Sequence, residues 1–384
     1  MNMTLIPRVR MNYTFMDFVR SLFVDDGKDT FRIKAEKWLS DYYNGRPVML
    51  TSAGRSALYY ILRSLPQTKV YIPAYTCPVV GDAVMQSGKE IHYAESMQGE
   101  FNADCYPNLD SDSIVVATHQ FGYPCAIKSI AEACQKVHAI LIEDCAPAIG
   151  TKVDGQLVGT FGDYAFVSFN HSKQLTIPRG GGCLVTKTPE QMSTIKELID
   201  LKYDRPRSLK NRRFALISLL INNSILYRLF HSKMIAPHEN GERNTIADLS
   251  SVMDTLYNQQ MDNWQAYLLY VQLKRMDIYS ERRSKLFDYY SKEINNVFIQ
   301  KPYQAQGADY SRYAIKVRNR DKYQIYQYCV ENGVDLDFSH SHLTCPTSFV
   351  EEHQLADCIL DLPFYYKLSY AEAKKVVSVI NSIK

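Results

Sequence analysis

Apolar residues cluster into five short runs between residues 47 and 187: VML at 48–50, KVYIPA at 69–74, SIVVATH at 113–119, AILIED at 139–144 and AFVSF at 165–169. Runs of this length read as buried strands. Between them, RSALYYILRSL and AIKSIAEACQKV repeat apolar residues at helical spacing. Strand–helix alternation predicts an α/β fold with a mostly parallel central sheet covered by helices on both sides. The rhythm breaks over 200–255, a mixed basic and apolar insert. A long helical pattern starts near 262, and the last hundred residues combine short strands with a final helix, YAEAKKVVSVINSI. This layout predicts a large α/β domain over 1–260, followed by a connecting helix and a smaller α+β domain over 261–384.

Composition narrows the function. With 46% hydrophobic and 22% charged residues, the 384-residue chain has the balance of a globular protein in water. A net charge of +3 is too small to suggest a nucleic-acid partner. The nine cysteines are odd in number and lack CxxC spacing, so neither a disulfide framework nor a metal site is expected. The opening residues carry no basic stretch ahead of an apolar core, and no window has the length of a membrane span. These features together predict a cytoplasmic protein.

Two residues bring chemistry to the strand ends. Asp144 closes the run AILIED, and ligands in open α/β sheets bind beyond the carboxyl ends of strands. A helix or turn cap is the competing reading. Lys173 follows the run AFVSF. A lysine and an acid at neighbouring strand ends suit pyridoxal 5′-phosphate, which needs a lysine amine for attachment and a carboxylate to keep its ring nitrogen protonated. Its phosphate needs backbone N–H groups. Gly54 and Ser56 open the helix RSALYYILRSL and could offer them, with Ser168 and the turn Gly180–Gly182 nearby. An ordinary N-cap at Ser56 and a plain turn at the glycines are the alternatives.

In this order, the segments resemble the DegT/DnrJ/EryC1/StrS family of sugar aminotransferases, of the aspartate-aminotransferase fold type I. AGRSAL is similar to the family's phosphate-binding NGTxAL, and AILIEDCAPAIG to its ring-nitrogen segment. GDYAFVSFNHSKQLTIPRGGGCLVT resembles the lysine segment, LYNQQMDNWQAYLLYVQL the dimer-contributed YNxRM block, and LDLPFYYKLSYAEAKKVV the C-terminal block. The resemblance implies pyridoxal phosphate as cofactor, with Lys173 as the attachment lysine and Asp144 as the partner of the ring nitrogen. It implies phosphate contacts from Gly54, Arg55, Ser56 and Ser168, and from Asn258 of a second subunit in a homodimer with shared sites. It also sets His119 and Ala146 beside the cofactor, although a core histidine is an equal reading of His119. Four positions depart from the pattern. Arg55 stands for a threonine, Cys77 for a stacking aromatic with Tyr75 nearby as its substitute, Pro147 for a glutamine or histidine, and Gln260 for an arginine.

The implied reaction carries an amino group from an amino acid, glutamate for instance, to the ketone of a nucleotide-linked sugar, in cell-surface polysaccharide or secondary-metabolite synthesis. The departures leave two alternatives: a diverged relative acting as a partner or regulatory subunit, and an enzyme acting on a non-sugar ketone. RRFALISLLINNSILYRLF, at 212–230, reads as one helix with apolar residues on most faces. Packing against the body or a dimer mate is its favoured reading, a substrate lid comes second, and membrane contact is the least favoured.

Overall fold

The computed structural model describes residues 3–97, 100–234, 257–340 and 342–384. The five apolar runs form strands β1 (Val48–Thr51), β2 (Lys69–Pro73), β4 (Ser113–Thr118), β5 (Ile140–Asp144) and β8 (Tyr164–Ser168). Two more strands, β3 (Glu90–Ala94) and β9 (Gly182–Thr186), complete a seven-stranded sheet of order β1-β9-β8-β5-β4-β2-β3. Only β9 runs against the rest, lying between β1 and β8. A two-residue pair, β6 (Lys152–Val153) and β7 (Gln156–Leu157), makes a small hairpin beside it.

Helices cover the sheet because their apolar faces have nowhere else to go. On one side, α3 (Gly54–Arg63) and α4 (Pro78–Gln86) bury Leu58, Ile61, Val80 and Val84 against Val70, Ile72, Val116 and Ile142. On the other side α5 (Ile127–Val137) sets Ile127, Ile130 and Cys134 on Val115, Ala117 and Leu141. The strand faces are apolar on both sides for this reason, as expected of a doubly covered sheet.

The pattern from 262 to 294 divides into two helices, Asn263–Leu273 and Met276–Glu293, broken at Lys274 and Arg275. Beyond them, β10 (Ile299–Gln300), β11 (Tyr313–Val317) and β12 (Ile359–Leu362) form an antiparallel three-stranded sheet. It has its own core of Phe287, Tyr290, Ile315, Leu360 and Val376. A segment from the start of the chain is stitched to this part: Ile6 pairs with Val334, Arg8 with Asp335 and Asp337, and Arg10 with Glu372.

The insert corrects one expectation. Residues 212–230 are not one helix but parts of α7 (Arg205–Leu220) and α8 (Ser224–Met234), which meet at 114°. The cause is the asparagine pair. Asn222 Oδ1 accepts from the Met11 N–H at 3.0 Å, and Asn223 Oδ1 accepts from the N–H groups of Ile225 and Leu226, which starts a new helix. The inner side of α7 packs on the body, where Tyr13 donates to the Ala215 carbonyl and Arg212 pairs with Asp26. Its outer side leaves Leu209, Ile217 and Leu220 exposed. Among the described residues no single helix is long and apolar enough to cross a membrane. Residues 235–255 of the insert lie outside the described residues.

Candidate functional site

A cleft of about 320 Å³ opens at the carboxyl ends of β4, β5 and β8. Strand register decides which side chains reach it. Thr118, Asp144 and Phe166 lie side by side across three parallel strands and all line the cleft. Because side chains alternate along a strand, their neighbours Glu143 and His119 point the other way. Asp144 is 4% exposed, and its carboxylate accepts from the Ala146 N–H at 2.9 Å and, weakly, from Thr118 Oγ1 at 3.3 Å. Burial raises Asp144, while Lys173, the Ala146 N–H and His119 hold it back.

Lys173 sits in the loop after β8, in a turn closed by its N–H donating to the Asn170 carbonyl at 2.9 Å. Its side chain lines the same cleft as Asp144 and Cys77. Enclosure lowers its amine below an ordinary lysine. The Cys77 sulfur and the carboxylates of Asp144 and Asp361 oppose that shift, and Arg312 adds to it.

The opposite wall is the start of α3. Ala53, the residue before the helix, makes no side-chain cap hydrogen bond there. Gly54 is packed against Ser168, and a Cβ on Gly54 would fall 2.8 Å from Ser168 Cβ. Ser56 is fully buried, with its hydroxyl 3.2 Å from that of Ser52. Two of the three glycines at 180–182 have distinct tasks. Gly180 holds φ +87, in a turn where Arg179 is also left-handed. Gly182 lets β9 pass under α3: a Cβ there would lie 2.5 Å from the Gly54 nitrogen and 2.7 Å from the Val167 carbonyl oxygen.

This cradle fits pyridoxal phosphate. The start of a helix and a serine line one part of it, and a buried carboxylate and a lysine side chain line the same cleft. Thr76 Oγ1, buried at the cleft, has no hydrogen-bond partner among the described residues, as expected of a group waiting for a ligand.

Of the residues expected from sequence, Gly54, Arg55, Cys77, Asp144, Ala146, Ser168 and Lys173 come together around this cleft, as does Pro147. Ser56 stands behind the cradle. Three residues are not brought to the wall. Tyr75 turns away, its hydroxyl donating to the Ser339 carbonyl at 3.2 Å and its ring edge-on to His340. His119 is fully buried on the far face of the sheet, with Nε2 3.2 Å from Glu143 Oε2. Asn258 is exposed, and its carbonyl accepts from the Lys202 N–H at 2.8 Å.

Sequence reasoning missed the side of the cleft lined by residues 312 and 338–340. Arg312 lies there, bonded to Asp337 at 3.0 Å and to Asp361, and Asp337 also pairs with Arg8. These charges hold Asp337 well below the usual carboxylate range. His340, also on the wall, is pushed down to about 3 by burial, with Arg312 and Lys173 adding to the shift. Arg179 closes the rim, with its guanidinium 4.4 Å from the Phe214 ring of α7, so the insert reaches the mouth of the site. An acid inside the apolar run ILDL, residues 359–362, was the available signal, since a charge within a buried strand needs a partner.

Known proteins share this architecture. Over 351 residues the chain is 24% identical to the UDP-N-acetyl-3-dehydro-alpha-D-glucosamine 3-aminotransferase of Acidithiobacillus ferrooxidans, covering 86% of this chain and 82% of that one. A shorter stretch of 163 residues is 31% identical to the GDP-perosamine synthase of Vibrio cholerae, covering 40% of this chain and 44% of that one. The structure overlays on Helicobacter pylori PseC, an aminotransferase of pseudoaminic acid biosynthesis, with a TM-score of 0.74 at 16% identity over 98% of each chain. The sequence profile of the DegT/DnrJ/EryC1/StrS aminotransferase family matches residues 14–381, and the chain belongs to that family of pyridoxal-phosphate-dependent enzymes.

Proposed function

We propose that the protein moves an amino group from an amino acid, with glutamate the first donor to test, to the ketone of a nucleotide-linked sugar. The observation that carries this reading is the convergence of Lys173, Asp144 and the Gly54–Ser168 cradle on one cleft. When bound, pyridoxal phosphate supplies an electron sink that makes the donor's α-proton removable. The chain's own groups do the rest. The first turn of α3 and Ser168 hold the phosphate and so fix the ring's position. Asp144 keeps a proton on the ring nitrogen by pairing with it. Lys173 Nζ is the attachment point. Once freed by a donor amine, it would serve as the base that takes the proton from the donor's α-carbon and holds it for return within the site, a task that needs a neutral amine, and burial lowers this one.

Asn258 is proposed to reach the phosphate of a second subunit, in a homodimer of the isologous kind. Its exposed place at the edge of the 257–260 segment supports this. We place the large domain over 1–260 and the small domain over 261–384, and the protein in the cytoplasm, where its nine free cysteines would stay reduced.

The test is reconstitution with pyridoxal phosphate, borohydride reduction and peptide mapping. A pyridoxyl group on Lys173 is expected, and Lys173→Ala should lose it together with conversion of glutamate to 2-oxoglutarate. Label on another lysine overturns the assignment. Attachment without donor turnover would favour the reading as a partner subunit.

A further inference from the structure

A second cleft, of about 440 Å³, opens between the loop 119–126 and the small sheet, walled by Phe101, Phe121, Tyr123, Tyr303 and Ile359. A thiol stands in its wall, the half-buried Cys125. Cys125 Sγ lies 3.6 Å from His119 Nδ1. Across the ring, His119 Nε2 faces Glu143 Oε2 at 3.2 Å. Glu143 is fixed in turn by the N–H groups of Gly159, Phe161 and Gly162, at 2.8, 2.7 and 2.7 Å. Sulfur, imidazole and carboxylate stand in the order by which an oriented base activates a thiol. His119, Glu143 and Cys145 are also close enough to share a cation. Both oxygens of Glu143 are already taken by backbone donors, however, and an ion there would face those N–H groups.

One proton has two places on this pair. On sulfur, it leaves Nδ1 free to accept from the Cys125 N–H, 3.3 Å away. On Nδ1, it leaves the sulfur nucleophilic beside a cationic ring. Burial opposes that charge, but the Cys125 sulfur and the Glu143 carboxylate outweigh it and raise the imidazole to about 10. The other titratable groups facing the pair are Asp144 and Cys145, at and after the end of β5, and Tyr106. Burial pushes Cys145 and Tyr106 upward, so both stay neutral and neither adds a second anion beside the imidazole.

We propose that Cys125 is a reactive thiol that captures small disulfides with an apolar or aromatic body from the second cleft. Cys125 Sγ attacks one sulfur of the incoming disulfide, and the new S–S bond forms as the old one breaks. The leaving thiolate takes the proton that His119 accepted from Cys125, so the incoming disulfide is the only oxidant. The aromatic wall selects the ligand's body, and Glu143 keeps the ring aimed at the sulfur.

The holoenzyme is treated with 4,4′-dithiodipyridine, thiopyridone release is followed, and mass spectrometry assigns the labelled cysteines. Cys358 is the internal reference, half-buried, its sulfur donating to the Leu355 carbonyl and its thiol pushed up by burial. Cys125 should label at least about tenfold faster than Cys358 at neutral pH, and its rate should fall by much less than about tenfold per pH unit of acidification, the slope of an unassisted thiol. Cys125→Ser should remove the fast phase, and His119→Asn should restore the steep slope. If the histidine variant does not fold, the slopes of Cys125 and Cys358 in the unaltered protein still decide. Equal rates at the two cysteines, or equal slopes, overturn the proposal.

Discussion

Gly182→Ala tests how the phosphate cradle is built. A Cβ at this position would lie 2.5 Å from the Gly54 nitrogen, 2.6 Å from the Ala53 carbonyl carbon and 2.7 Å from the Val167 carbonyl oxygen. All three are backbone atoms, so no side chain can swing aside. Comfortable contact is ~3.5 Å, so the first turn of α3 and strand β9 must separate by roughly 1 Å. Overpacking of this kind costs ~1–3 kcal/mol, and the backbone origin of every clash puts this case at the upper end, about 3 kcal/mol. The same shift moves the N–H groups that would hold phosphate. A hydrogen bond to a charged group contributes ~1.5–3 kcal/mol, so losing one should weaken cofactor affinity by about 10- to 100-fold. Urea unfolding measures the first quantity, and titration of the apoprotein with pyridoxal phosphate, read by absorbance, measures the second. Gly45→Ala is the control. Gly45 has φ +80 with open space around it, so it should lose only ~1–2 kcal/mol of backbone energy and keep its affinity. Unchanged cofactor affinity in Gly182→Ala, with stability reduced, would refute the placement of the phosphate at the start of α3.

Lys173 is lowered by burial. Its capture of pyridoxal phosphate should therefore rise with pH and level off below the ~10.4 of a free lysine; a rate still climbing at that point contradicts an enclosed amine. Between its folded and unfolded values the unfolded chain binds more protons, so this group's contribution makes stability rise with pH in that window and is smallest in acid. Asp144→Asn should bind cofactor yet lose most turnover, because an amide cannot balance a protonated ring nitrogen; near-normal kcat would make Asp144 a structural cap. Mixing Asn258→Ala with Lys173→Ala chains should recover activity above either parent if sites are shared, since one site then carries both lesions and the other neither. No recovery, with subunit exchange verified by mass, places each site within one chain. Arg312→Met strands the buried carboxylate of Asp361, while Asp337 keeps Arg8, and should cost ~3–5 kcal/mol. That deficit should shrink as pH falls and the acid protonates, which acid-dependent urea titrations will reveal.

The strand runs were legible because a doubly covered parallel sheet makes its strands apolar throughout, and Lys173 and Asp144 were legible because they interrupt that pattern at strand ends. β3 and β9 were harder. Glu90 and His92 dilute one, and the other is preceded by glycines whose need arises from contacts with α3 far away in sequence. His119 read equally as core or site. The pairing of Thr118 with Asp144 settles which face it takes, and pairing is a property of the sheet rather than of any local run. Arg312 and Asp337 stayed hidden because their partners lie far apart in sequence, Arg8 included.

The tie between Arg8 and Asp335 spans 327 positions. Asp335 is fully buried, and it also accepts from the Tyr227 hydroxyl at 2.5 Å. During synthesis, residues 6–10 leave the ribosome long before the acids they must neutralise exist. The central sheet has all its strands once residue 186 has emerged, but the small domain cannot close over its charges until this early segment folds back onto it. A nascent chain therefore carries a stretch of Arg-containing backbone with no partner through most of its translation. A chaperone holding that stretch, or a bulky group fused just before it, would delay the small domain while leaving the central sheet free to form.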